Sequence, residues 1–132
     1  MQTATGIILQ ARLASRRLPR KALALVAGRT ILEHCLDRLR AADVGPVVLA
    51  TTLREEDGEL ADLALRLGVP VFRGPSGDVL ERFARCAALH GFEHVIRATA
   101  DNPGVDVAAP ERVLALLQDD RADYAGEEHL PY

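Results

Sequence analysis

What this sequence lacks excludes more than its composition includes. No apolar run approaches the ~20 residues that a membrane helix needs, so no membrane contact is expected. Met1-Gln2-Thr3-Ala4-Thr5 has none of the basic start of a secretory signal and leads straight into a strand-like run. Cysteine is nearly absent. Cys35 and Cys86 stand far apart, each in an amphipathic helical pattern, and read as buried thiols of a reducing, cytoplasmic protein. Internal repeats, low-complexity tracts and linkers are missing, so residues 1–132 read as one domain able to bury a core. Hydrophobic residues make up 48%, which excludes a disordered composition. Two nucleotide-binding signatures are also missing. No glycine-rich dinucleotide fingerprint follows the first strand, and no phosphate loop ends in Gly-Lys-Ser/Thr.

An overall positive charge is missing too. The net charge is −3, which argues against nucleic acid as a partner. The cations are local instead. Arg12, Arg16, Arg17, Arg20 and Lys21 fall within residues 12–21, a stretch without a single acid. Such a loop cannot be neutralised from within. It requires an anion, and polyphosphate fits, because guanidinium groups bind phosphate bidentately and lysine adds a point charge. A solvated basic turn is the plainer reading of a charge run. Position decides between the two. The stretch directly follows Gly6 to Leu9, which reads as a buried strand, and the loop after strand one is where ligands sit in a strand-first α/β chain. A receiver-like domain would carry acids there.

The rest of the chain alternates strand and helix. The first strand covers about Gly6 to Ala11. Gly28 marks a turn, and Thr30 with Glu33 forms a capping box. The helix that follows runs to Ala42 with Ile31, Leu32, Cys35, Leu36 and Leu39 on its apolar stripe. Val47 to Thr51 is a second strand, and Thr52 to Glu56 a polar loop. The next helix ends at Leu67, with Leu60, Leu63, Ala64 and Leu67 inward and Gly68 as left-handed terminator. Val69 to Phe72 is a third strand, held to an end or an edge by Pro70. A turn at Gly74 to Gly77 precedes a helix from Asp78 to His90, with Val79, Leu80, Phe83 and Ala87 inward. His94 to Thr99 is a fourth strand and Asp101 to Asp106 its loop. A last helix starts near Pro110 with Val113, Leu114 and Leu117 inward, and Ala122 to Ala125 is a short fifth strand. This alternation predicts an α/β fold, a mostly parallel sheet with helices on both faces.

Ala11-Arg12-x-x-Ser15-x-Arg17-Leu18-Pro19-x-Lys21 resembles the signature loop of the cytidylyltransferases that make CMP-sugars. These include the acylneuraminate and 3-deoxy-manno-octulosonate enzymes, and the branch of spore coat polysaccharide biosynthesis proteins is the most similar. The family pattern has Thr or Ser where this chain has Arg16, and Gly where it has Arg20. The second departure matters more, since Gly at a loop position gives φ > 0 or close backbone approach. Two further stretches carry the resemblance. Arg97-x-Thr99-x-Asp101-x-Pro103-x-x-Asp106 is similar to the family's metal loop, with Ala100 where Gly is usual. Phe72-Arg73-Gly74-x-x-x-Asp78-Val79-Leu80-x-Arg82 is similar to its stretch near the nucleotide base.

The resemblance implies a Rossmann-like nucleotidyltransferase fold with strand order 3-2-1-4-5. It implies that CTP and a sugar give a CMP-sugar and pyrophosphate. By the same resemblance Arg12 and Lys21 are catalytic and clamp the triphosphate. Ala11, Ser15, Arg17, Arg73 and Asp78 complete the nucleotide site, and Asp101 holds Mg²⁺. Asp78 reads equally well as a helix N-cap, and Asp106 reads as a cap. The three motifs span almost the whole chain, yet such proteins continue for about as long again. Their later part carries a second acidic ligand, much of the sugar pocket and a homodimer contact. Two functions therefore stand side by side: a sugar-activating cytidylyltransferase, and a half-module that binds nucleotide without turning it over.

Overall fold

The structure is a computed structural model and describes residues 5–14, 20–77 and 79–99. Its centre is a four-stranded sheet. Strands β1 (Thr5–Gln10), β4 (Val47–Thr52), β5 (Val71–Gly74) and β6 (His94–Thr99) lie in the order β5-β4-β1-β6, every pair parallel. In sequence terms this is strand order 3-2-1-4, as expected. The fifth strand and the last helix of the sequence reading lie outside the described residues.

A parallel sheet needs a cover on both faces, and the burial pattern shows it. Ile7, Ile8 and Leu9 are all fully buried in β1, as are Val48, Leu49 and Ala50 in β4. Alternate residues face opposite layers. Ile7, Leu9 and Leu49 pack with Ile31, Leu32, Cys35, Leu36 and Leu39 of α1 (Ile31–Ala42) and with Leu60 and Ala64 of α2 (Gly58–Arg66). Ile8, Val48 and Ala50 pack with Phe83 and Cys86 of α3 (Val79–His90). Helices thus stand on both faces, and the stripe read for α1 is buried residue for residue.

Local chemistry sets the element boundaries. The amide of Glu33 donates to the Thr30 hydroxyl at 3.1 Å, which caps α1. The Glu33 carboxylate takes the Thr30 hydroxyl and Arg29 Nε, at 3.2 and 3.3 Å, where the sequence reading gave it a backbone N–H. Thr30 also closes a small hairpin that the sequence reading saw only as a turn. In it β2 (Leu25–Val26) pairs antiparallel with β3 (Arg29–Thr30). Ala27 and Gly28 both have positive φ, 52° and 80°, as the tightest hairpin turn requires. His34 Nε2 donates to the Val26 carbonyl, and Arg29 meets Asp37 at 2.5 Å, so the hairpin is tied to α1.

Two expectations need correcting. The third strand begins at Val71 and ends at Gly74, two residues later than read. Pro70 stands just before it on the edge strand, where its carbonyl accepts from the Leu49 amide at 2.9 Å. Leu80 is not inward; it is 76% exposed. Phe83 is buried and Val79 and Ala87 pack against the same cluster, as read, while Arg82 and Cys86 are buried on this helix and were not read as inward. No described helix is long and apolar enough to cross a membrane.

Both cysteines are buried, as read. Burial pushes the Cys86 thiol up to about 11. At pH 8 neither thiol should react with a water-soluble thiol reagent until the chain unfolds. Because the folded state holds Cys86 neutral longer than the unfolded state does, stability should fall as pH rises from 9.0 towards about 11. A flat unfolding midpoint across that window, for wild type against Cys86→Ala, would contradict the burial.

Candidate nucleotide cleft

Three loops leave the C-terminal ends of β1, β4 and β5 on the same edge of the sheet. They enclose an open cleft of about 160 Å³ lined by Arg12, Ala14, Thr52, Arg54 and Ser76. One carboxyl group ties the first two loops together. Asp57, fully buried, accepts the Leu13 amide on one oxygen at 2.7 Å and the Thr52 hydroxyl on the other. The Thr52 hydroxyl accepts in turn from the Arg54 amide at 3.2 Å. Arg73 on β5 fastens the same turn. Its Nε donates to the Thr52 carbonyl at 2.8 Å and one terminal nitrogen to the Arg54 carbonyl at 2.7 Å.

The basic loop opens with Ala11, buried in the core, and Arg12, exposed and lining the cleft. It closes at Arg20, whose amide donates to the Leu13 carbonyl at 2.9 Å. Arg20 has φ 61° and ψ 23°, the left-handed region. This is the position where the resemblance expects glycine, and the backbone keeps the glycine conformation with an arginine in it. The side chain does not remain in the loop. It reaches Glu59 of α2 at 2.6 Å, and that hydrogen bond holds the Glu59 carboxyl below its ordinary value. The loop is thus neutralised in part from α2, which no property of the loop's own sequence reveals. Lys21 follows in a 3₁₀ turn, Lys21–Leu23, half-buried and outside the residues that line the cleft.

Of the residues read from sequence, Arg12 lines the cleft, Ala11 is buried in the core and outside the lining, and Lys21 lies at the loop's far end. Arg73 sits behind the cleft and holds backbone carbonyls. Ser15, Arg17, Asp78 and Asp101 lie outside the described residues. Sequence reasoning missed Thr52, Arg54, Asp57 and Ser76. The only signal for Asp57 was its place in the acidic turn Glu55–Asp57 before α2, where an acid normally serves as a cap; here it makes no cap bond.

A divalent cation does not find its ligands among these described side chains. Asp57 has both oxygens engaged, Glu59 meets Arg20, and Glu56 meets Arg54 at 3.3 Å. No group of three or more His, Cys, Asp or Glu side chains that could hold a metal occurs among the described residues.

A parallel α/β sheet with a basic loop and a cleft at its carboxyl edge is the arrangement in which α/β proteins bind their ligands. The comparisons narrow it. A cytidylyltransferase family model matches residues 6–131, and the chain belongs to that family. It is 35% identical to the 3-deoxy-manno-octulosonate cytidylyltransferase of Rhodospirillum centenum, over 90% of this chain and 47% of that protein. It is 34% identical to the spore coat polysaccharide biosynthesis protein SpsF of Bacillus subtilis, over 89% of this chain and 51% of the relative. Among solved structures, a cytidylyltransferase from Leptospira borgpetersenii superposes with a TM-score of 0.85 at 30% identity, over 91% of this chain and 51% of the other. A CMP:2-keto-3-deoxy-manno-octonic acid synthetase solved with CTP gives 0.76 at 25% identity, over 91% of this chain and 49% of that one. The chain spans about half the length of the relatives it matches.

Two substitutions test this geometry. Asp57→Ala leaves the buried Leu13 amide and Thr52 hydroxyl without their acceptor and should cost about 1–3 kcal/mol in denaturant unfolding. At position 20, glycine should be more stable than alanine by about 1 kcal/mol, since both lose Glu59 but only alanine keeps the left-handed strain. Equal midpoints for Arg20→Gly and Arg20→Ala would show that φ is not positive there.

Proposed function

We propose that the chain binds CTP with the triphosphate on the basic loop. As part of the whole protein it then serves a sugar-activating cytidylyltransferase of surface polysaccharide synthesis. The observation that carries this reading is Arg12 lining a cleft on the carboxyl edge of the sheet, on a loop pinned by Asp57. A pinned loop holds its donors still, and preorganised donors stabilise developing phosphoryl charge without reorganising. The names of the relatives, a 3-deoxy-manno-octulosonate cytidylyltransferase and a spore coat polysaccharide protein, support a sugar as second substrate.

In the proposed reaction a sugar hydroxyl attacks the α-phosphorus of CTP. The bond to the bridging oxygen of the β-phosphate breaks, and pyrophosphate leaves with that electron pair. Arg12 and Lys21 clamp the triphosphate, assisted by Ser15 and Arg17. Ala11 gives backbone contact, and Arg73 positions the Thr52–Arg54 turn. Asp78 belongs to the side that receives the base. Asp101 would hold Mg²⁺, which neutralises phosphate charge when bound and prefers one or two carboxylates plus phosphate oxygens and water. A cytoplasmic site of action and a homodimer belong to the same reading. The alternative within the family is a half-module that binds CTP without turnover.

CTP with Mg²⁺ should raise the melting temperature of the 132-residue chain more than ATP does, by mass action on the folded state. Equal shifts with all four nucleoside triphosphates remove the cytidine assignment. Arg12→Ala and Lys21→Ala should each weaken CTP binding by about 1–3 kcal/mol with little change in unfolding midpoint. A variant that melts early yet binds normally makes the loop structural. Pyrophosphate release with CTP, Mg²⁺ and keto-acid sugars separates the two family readings. Turnover abolished by Asp101→Asn establishes the enzyme, and CTP binding without release establishes the half-module.

A further inference from the structure

The turn after β5 covers a charge that no described ion pair neutralises. Arg82 on α3 is only 1% exposed. Its stem packs on Gly74, where a Cβ would stand 3.0 Å from Arg82 Cγ, so the glycine makes room for this side chain. The guanidinium makes one bond, Nη1 to the Pro75 carbonyl at 2.8 Å. Nε and Nη2 are buried without a hydrogen-bond partner, and no described carboxylate pairs with the group. Arginine cannot shed its proton to escape this. A buried cation with idle donors is costly unless an acceptor arrives.

The surroundings indicate where one would arrive from. Pro75, Ser76 and Gly77 are exposed, and Ser76 lines the cleft. The carbonyl that Arg82 holds belongs to the residue before Ser76, so a single exposed turn separates the guanidinium from the cleft. Here α3 begins, a twelve-residue helix whose first N–H groups lack partners within the helix. The idle guanidinium donors favour an oxygen acceptor as guest. The cleft has its other cations, Arg12 and Arg54, on the loops after β1 and β4, so Arg82 serves the β5 side.

We propose that Arg82 is the receptor for an acceptor oxygen of the bound nucleotide, reached as the Pro75–Gly77 turn shifts on binding. The inference rests on the CTP reading given above. The guest chemistry is an oxygen acceptor, which the base carbonyl or a phosphate can supply. On arrival it takes the Nε–H and Nη2–H donors, so the cost of the idle charge in the empty chain becomes binding selectivity.

The test follows the Arg82 Nε–H signal by nitrogen-15 NMR, assigned by its loss in Arg82→Lys. CTP should move this signal and slow its exchange with water. Cytidine alone reproducing the change identifies the base carbonyl, and tripolyphosphate alone reproducing it identifies phosphate. Arg82→Lys should bind CTP at least tenfold more weakly. Arg82→Met removes the idle charge while keeping bulk, so it should melt no lower than wild type and lose its response to CTP. Backbone signals of Leu13 and Ala14 that move with CTP while Arg82 Nε–H stays still overturn this inference and leave the cleft reading standing. No movement anywhere overturns both.

Discussion

The Asp57 carboxyl is the point on which the cleft depends. It joins the loop after β1 to the loop after β4 through two hydrogen bonds and is itself fully buried. The sheet below brings their roots close, since β1 and β4 are neighbours in register from Ile7 opposite Val47 to Gln10 opposite Ala50. Proximity at the roots does not fix the tips. A fully desolvated acceptor does, because every alternative position leaves an amide or a hydroxyl unsatisfied.

Around that point the cations divide into two groups. Arg20, Arg54 and Arg73 are engaged within the protein, with Glu59, Glu56 and backbone carbonyls. They give the edge its shape. Arg12 is exposed at the cleft with no ion pair among the described ones. A stretch that looks uniformly basic in sequence is therefore heterogeneous in space. The left-handed Arg20 is the clearest case. It keeps the chain reversal that glycine would give freely and adds a surface ion pair, an interaction worth little by itself but directed at the helix that also carries the Asp57 anchor.

Much of the fold was legible because it rests on local patterns. The α1 stripe, the buried β1 and β4 runs, the turn at Gly28 and the left-handed Gly68 all follow from spacing or from a single residue's freedom. Strand order came from resemblance, not from pattern. The site was legible only where it is contiguous. Arg12 announces itself by its neighbours in sequence. Asp57 does not, because its partner Leu13 lies 44 residues away and its own surroundings look like an ordinary acidic helix start. Arg82 misled in the opposite direction. An arginine at an inward position breaks the apolar period of α3, and the exposed Leu80 then takes its place in any count of hydrophobic residues.

The position of β1 has a consequence for how the molecule is made. This strand is synthesised first and lies in the middle of the sheet, where one edge takes β4 and the other takes β6, Thr5 opposite His94. Half of its pairing must wait until nearly all the described chain has left the ribosome. During that interval the β6-side edge of a strand with an apolar centre, Ile7 to Leu9, is an open template for other strands. Pairing over such a sequence distance is slow by loop-closure entropy, so the arrival of β6 ends a period of aggregation risk. A variant that weakens β6 without touching the cleft would thus be expected to harm yield before it harms binding.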